Sequence, residues 1–370
     1  IELTAENGAK YWGRTMDLAM TMFGEDGGAK SVITTIPAEA KVASQLTDWT
    51  AKYATMGVGV KGTPILFDGI NEAGLAGDLQ VLFESTADSL ENLKQRGLTP
   101  LMNTEFVTYV LTHFKNVAEI REHYQEFGLA DQATQVNGQG FTFPLHYNFV
   151  DESGDGVVLE PVENGAFKLY DSVGVVTNSP EYNWHTTNLR NYLGLTDVDV
   201  KDPRIYKNGV TSQPIEGGTG YGMAGLPGSY TSPARFVRSF VIANAMDDFT
   251  ADRGIAQLYA AFRPVIIPEG IERKTAEATV SDYTRYWSGY DLQKRAVYVQ
   301  TGLGLAFTKQ TLNQTCKKLV IRPLTVVTTC TKFNRFKVNL KNKQSPELIL
   351  GSVFLYVKRN NLWFKIIKFF

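Results

Sequence analysis

The sequence predicts an α+β protein built in layers, and three observations carry that prediction. Strand-like segments come in blocks, and the blocks are separated by pairs of helix-like segments instead of alternating with them one by one. Gly and Pro punctuate the strand blocks, which are rich in β-branched and aromatic residues. Hydrophobic residues make up 43% and charged residues 20% of 370 residues, the balance of an ordinary soluble globular chain with ample core.

The first block opens as a β-hairpin. Its arms are Ile1–Ala5 and Ala9–Trp12 and its turn is Glu6-Asn7-Gly8, since Asn and Gly both accept the positive φ of a tight turn. Ser31–Ile36, Tyr53–Val60, Pro64–Phe67 and Gly74–Leu82 read as further strands. Helices follow. Asn103–Phe114 places Phe106, Val107, Val110, Leu111 and Phe114 on one helical face, and Val117–Phe127 continues as a charged helix with Gly128 as its C-cap. Leu145–Val150, Gly156–Pro161, Ala166–Tyr170 and Val173–Val176 form the second strand block. Thr231-Ser232-Pro233 starts a helix over Ala234–Met246, and Ile255–Phe262 is its neighbour. Tyr283–Gln300 reads as a hairpin, followed by a strand at Gly304–Thr308.

Charge divides the chain. The net charge of −1 is the sum of −12 over residues 1–314 and +11 from Thr315 onward, where Glu347 is the single acid. Cys316 and Cys330 also fall in this basic tail, with neither disulfide nor zinc spacing, and the four histidines make no metal motif. No apolar run is long enough to span a membrane, and no basic leader with an apolar stretch opens the chain, so a cytoplasmic location is expected. Gly220-x-Gly222-x-x-Gly225 has dinucleotide-site spacing, but Leu226-Pro227-Gly228 follows where a helix should start, which argues against a nucleotide site. Asn313-Gln314-Thr315 is a glycosylation sequon, without consequence in a cytoplasmic protein.

Arg14 and Asp17 follow the hairpin directly. Residues three apart in a flat strand point to opposite faces, so these two can share a pocket only if the strand ends or bulges between them. On residue types alone, the simpler reading is an ion pair at a strand end. Asn178, likewise, reads as part of an Asn-Ser-Pro turn and Arg235 as a helix-surface residue.

Order changes those readings. The Asn-Gly hairpin runs into Gly13-Arg14-Thr15-Met16-Asp17. Phe67-Asp68-Gly69-Ile70-Asn71-Glu72-Ala73-Gly74-Leu75 comes next, then Val176-Thr177-Asn178-Ser179-Pro180 with Trp184-His185, then Gly225-Leu226-Pro227-Gly228 through Ala234-Arg235-Phe236. In that order the four stretches resemble the choloylglycine hydrolase family, which includes penicillin V acylases and conjugated bile salt hydrolases. The resemblance covers residues 1–314 and leaves 315–370 as a tail without counterpart. It implies the four-layer αββα sandwich of N-terminal-nucleophile hydrolases, a homotetramer, and hydrolysis of linear amide C–N bonds without metal or cofactor.

The resemblance also implies roles. The family nucleophile is an N-terminal Cys whose own α-amine acts as base. The family pattern places it three positions before Ile1, outside the sequence, so the chain as it stands is expected to be inactive. Arg14 matches the Arg beside the thiolate, Asp17 the Asp that orients the α-amine, Asn178 the oxyanion donor, and Arg235 a second active-site Arg. Val81 falls where members carry Asn or Tyr to complete the oxyanion hole; Gln80, one residue away, or a backbone N–H could donate instead. Met16, Met20 and Phe23 are candidate walls of an apolar acyl pocket, or simply core.

Arg14-Thr15-Met16-Asp17 looks more like the penicillin V acylase branch, with bile salt hydrolases next and a non-catalytic binding protein on the same scaffold as the third reading. The expected partner is therefore a small amide, a phenoxyacetyl amide or a bile salt conjugate, with neither nucleic acid nor membrane. The tail, with Phe333, Phe336, Tyr356, Trp363 and Phe369 among its lysines, has the composition of an RNA- or membrane-surface arm, but a non-native or out-of-frame extension is the preferred reading of it, a genuine extra strand pair the second, and a binding arm the last.

Overall fold

A computed structural model describes residues 1–18, 31–136, 138–216, 220–302, 304–313, 315 and 318–324, with short strands at 358–359 and 362–363. Met20, Phe23, both cysteines and most of the basic tail lie outside the described residues. The chain forms two units, Ile1–Cys330 and Thr331–Phe370. In the second, Lys358–Arg359 pairs antiparallel with Leu362–Trp363.

Strands of the first unit that build its two main sheets are β1 (Glu2–Thr4), β2 (Lys10–Asp17), β3 (Ser31–Ile36), β4 (Thr55–Val60), β5 (Leu66–Asn71), β6 (Ala76–Val81), β7 (Thr99–Leu101), β8 (Phe127–Leu129), β9 (Leu145–Val150), β10 (Gly156–Glu163), β11 (Ala166–Asp171), β12 (Thr284–Asp291), β13 (Ala296–Thr301), β14 (Thr308–Thr311) and β15 (Val320–Pro323). The smaller sheet has the order β1-β2-β12-β13-β14, and the larger runs β15-β3-β4-β5-β6-β9-β10-β11-β8-β7. Neighbours are antiparallel except β7 and β8. Strand β15 lies beyond residue 314 and pairs with β3.

Helices cover the outer faces. They are α1 (Leu90–Gln95), α2 (Phe106–His113), α3 (Val117–His123), α4 (Tyr182–Asn188), α5 (Ser232–Ala245) and α6 (Gly254–Phe262). Helix α2 packs on β5 and β6 of the larger sheet, and α6 on β2 and β12 of the smaller. The sheets pack face to face, with Trp12, Met16, Tyr286, Tyr290 and Val299 meeting Ile33, Met56, Val58 and Ile70 in one core. On the other side of the smaller sheet, Tyr11 and Trp287 join Leu258, Phe262 and Phe236 in a second core. Adjacent Tyr11 and Trp12 thus fill different cores, because successive strand residues point to opposite faces.

The opening hairpin forms as expected, with Gly8 at φ 84° and Leu3 opposite Tyr11. Three expectations are corrected. Gly128 is no helix cap: the α-helix ends at His123, a 3-10 turn continues over Tyr124–Glu126, and Gly128 lies in β8 under α1, where an added Cβ would sit 2.5 Å from Leu93 Cδ2. Val173–Val176 is no strand, since Gly174 takes φ 82° and its carbonyl accepts the Glu2 N–H instead. The strand expected at Gly304–Thr308 lies later, at Thr308–Thr311.

Candidate active site

Strand β2 carries the first half of the site. Trp12, Arg14 and Met16 face the space between the sheets, whereas Gly13 packs against Leu258 of α6. Arg14 is 7% exposed. Its Nη1 donates to the carbonyls of Phe67 (3.2 Å) and Leu79 (2.9 Å), and its Nε donates to the Thr15 carbonyl (3.1 Å). Asp78 Oδ2 lies 3.7 Å from that Nε. Asp68, also fully buried, accepts from Tyr286 at 2.7 Å and from Tyr290. Burial pushes the carboxyls of Asp68 and Asp78 above the usual range, and the Arg14 charge draws both back.

Asp17 stands where β2 ends. It pairs with Thr284 while Met16 pairs with Tyr286, so Arg285 is an extra residue and the pairing bulges between them. Strand end and bulge bring Arg14 and Asp17 to one cavity without an ion pair between them; the simple ion-pair reading is therefore replaced. Asp17 Oδ2 accepts from Thr15 Oγ1 (2.8 Å) and its Oδ1 from Thr284 Oγ1 (2.5 Å).

The second half comes from loops. Asn178 precedes a cis Ser179–Pro180 bond. Its Nδ2 donates to the Val81 carbonyl (2.9 Å), and its Oδ1 accepts from Arg235 Nη2 (2.8 Å) at the start of α5. Arg235 Nε also donates to the Tyr230 carbonyl (2.9 Å). Neither Asn178 nor Arg235 is thus a plain turn or surface residue.

Arg14, Met16, Asp17, Val81, Asn178 and Arg235 line one cavity of about 80 Å³. Gln80 lines it too, and its Nε2 donates to Asp78 Oδ2 (2.9 Å).

Sequence reasoning missed the polar floor. Asp68 stands opposite Asp78 across β5 and β6, and Asp78 opposite Asn148 on β9. Two pairs along, on the same face, Gln80 faces His146, whose Nδ1 is 3.2 Å from Glu160 Oε1 on β10. The trace was present: Asp78 with Gln80 and His146 with Asn148 are alternate polar residues in otherwise apolar strands, which give one strand face to a polar cavity. Among the described residues no group of His, Cys, Asp and Glu could hold a metal, and no helix is long and apolar enough to cross a membrane.

Helices outside two face-to-face sheets, with a polar cavity at the end of the hairpin strand, define an α+β hydrolase architecture of the N-terminal-nucleophile type. The match to linear amide C–N hydrolases of the choloylglycine hydrolase family spans residues 1–316, and the chain belongs to that family. A bile salt hydrolase/transferase of Clostridium perfringens is 29% identical over 308 residues, covering 81% of this chain and 88% of the relative. A conjugated bile acid hydrolase of Lactobacillus acidophilus is 29% identical over 305 residues, covering 80% of this chain and 90% of the relative. A penicillin V acylase of Pectobacterium atrosepticum is 31% identical over 147 residues, 38% of each chain.

Solved structures agree in fold. A variant of the conjugated bile acid hydrolase from Clostridium perfringens superposes with a TM-score of 0.79 at 25% identity, covering 90% of this chain and 99% of the other. Penicillin V acylase from Agrobacterium tumefaciens gives 0.64 at 20% identity, covering 86% and 89%.

Proposed function

We propose that the cavity hydrolyses linear amides through the thiolate of a Cys three positions before Ile1. Register carries this reading. Ile1 and Gly13 exchange both main-chain hydrogen bonds, each 3.0 Å, one step beyond the Glu2–Trp12 pair of β1 and β2. Continuing that register sets the next three residues opposite Arg14, Thr15 and Met16. Directly opposed residues of antiparallel strands share a face. The Cys side chain would then lie on the face of Arg14 and Met16, whose Nη2 and Sδ are 3.6 Å apart, and its α-amine beside Asp17.

Each group has a task in that arrangement. Arg14 favours the thiolate by its charge. Asp17, held by two hydroxyls, orients the amine that takes the thiol proton. The thiolate attacks the amide carbonyl, Asn178 stabilises the oxyanion with its remaining N–H, and Arg235 holds Asn178. The C–N bond breaks, the amine leaves with the proton, and water hydrolyses the thioester. Met16 is a candidate wall for the acyl group, and Val81 contributes through its carbonyl. A homotetramer remains part of this reading by family likeness.

Two acyl classes compete. Thr15 pointed to phenoxyacetyl amides, but its hydroxyl is spent on Asp17, a bond an Asn amide could also donate. The long matches to bile salt hydrolases, against 38% coverage for the acylase, favour conjugated bile salts. The test is a chain beginning with that Cys, offered both substrates with its α-amine free and then acetylated. Turnover is expected with the free amine only, and its loss when the Cys is replaced by Ala. Substrate binding without turnover in the free-amine chain would instead make this a binding protein on a hydrolase scaffold.

A further inference from the structure

Asn178 is held by more than its side chain. Its own carbonyl accepts from Ser232 Oγ (2.9 Å) and from His185 Nε2 (2.8 Å), so the residue is fixed at both ends. His185 is 2% exposed and stacks on Phe236, with ring centroids 4.7 Å apart and planes at 11°. A stacked imidazole keeps one orientation, and its Nδ1 has no hydrogen-bond partner among the described residues. The directed contact of this buried polar ring is therefore the one to Asn178. Helix α4, which carries His185, is itself tied down, because Glu160 Oε1 accepts the Tyr182 N–H at 2.9 Å while facing His146. A line of contacts thus runs from the floor of the larger sheet through α4 to the Asn178 backbone.

We propose that His185 is a positioning residue for the hydrolytic site: its Nε2–H fixes the Asn178 carbonyl and so sets the amide between Val81 and Arg235. The inference rests on the reading of Asn178 as oxyanion donor. A neutral imidazole with its proton on Nε2 suits this place, since a second N–H would face no acceptor among the described residues. Burial accordingly lowers the His185 pKa below the usual histidine value, with the Asn178 carbonyl opposing. Misplacing an oxyanion donor raises the barrier to the chemical step without weakening ground-state binding, so the effect belongs in kcat.

The test uses the Cys-bearing chain. His185→Phe keeps the stack and loses the donor, and is expected to lower kcat about tenfold with KM within about twofold; deleting an oxyanion donor outright costs about 10²–10³. His185→Gln, which can offer an N–H at similar reach, is expected to restore kcat to within about threefold, whereas His185→Asn, too short to reach, should not. In an Asn178→Ala background His185→Phe should cause no further loss, since groups acting as one unit are non-additive. Should His185→Phe not fold, the Gln and Asn variants carry the comparison. Unchanged kcat in Phe or Asn, or equal losses in Gln and Asn, would overturn the positioning role alone. An Asn178→Ala chain with full kcat would overturn the oxyanion reading and this inference with it.

Discussion

Arg14 and Asn178 face the same cavity but are held in opposite ways. Arg14 stands on a central strand, buried between two sheets, its charge set against Asp78 and close to Asp68. Asn178 stands on a loop, neutral, fixed by hydrogen bonds to Val81, Arg235, His185 and Ser232. Buried charges depend on one another strongly, because an unmatched one cannot be solvated; hydrogen bonds to a neutral amide fail one at a time and at smaller cost. The strand half therefore couples the site to the stability of the whole domain. The loop half sets geometry at smaller cost to the fold.

Replacing Arg14 tests this contrast where the effect is largest. Arg14→Met keeps the length and packing but leaves Asp68 and Asp78 buried without their cation, at a cost of about 3–5 kcal/mol in urea unfolding. Adding Asp78→Asn should recover part of that loss, because it removes one stranded carboxylate. If the double variant is no more stable than Arg14→Met, the buried charges are not what holds this half together.

Arg235→Met probes the other half. Arg235 is only half-buried and its partners are an amide and a carbonyl, so unfolding free energy should fall by at most about 1.5–3 kcal/mol, less than the loss at Arg14. The rate should suffer as well: kcat in the Cys-bearing chain is expected to fall about ten- to a hundredfold as Asn178 loses its fixed orientation. Stability lost to the same extent as in Arg14→Met would erase the distinction between the halves.

The two halves also differed in how far the sequence displayed them. Asn7-Gly8, Gly13-Arg14 and Asp17 sit within a few residues of each other, so a hairpin and a strand end were legible locally, and the need for a bulge followed from strand parity. The bulge itself was hidden, because its extra residue, Arg285, lies 268 positions from Asp17 on another strand. Gly128 misled because a glycine after a helical pattern has two physical uses, a left-handed cap or room for a neighbour, and only packing against Leu93 decides between them. The alternation of Asp78 with Gln80 and of His146 with Asn148 marks two polar strand faces locally, but that these faces meet each other and Asp68 depends on register among strands far apart in the chain. What order along the chain did supply was the convergence of Arg14, Asp17, Asn178 and Arg235, four residues from three distant segments.

Glu2 offers the finest test, because it brings charge into the strand half without a role in the proposed chemistry. It lies on β1 at the cavity wall. Burial raises its carboxyl pKa to about 7, Lys10 opposes the shift, and Asp151 and Asp155 add to it. The unfolded chain should titrate near its ordinary value of 4.5. Between those two values the folded protein binds a proton that the unfolded chain has lost, so stability falls as pH rises from about 4.5 to about 7 and is flat on either side. Glu2→Gln removes this dependence. It should leave stability unchanged at pH 4 and raise it by about 1–2 kcal/mol at pH 8, less than the full shift implies because Glu2 keeps some contact with water. Denaturant unfolding across that range checks it: parallel profiles for the two chains would mean that the strand half carries its charge in Arg14, Asp68 and Asp78 alone.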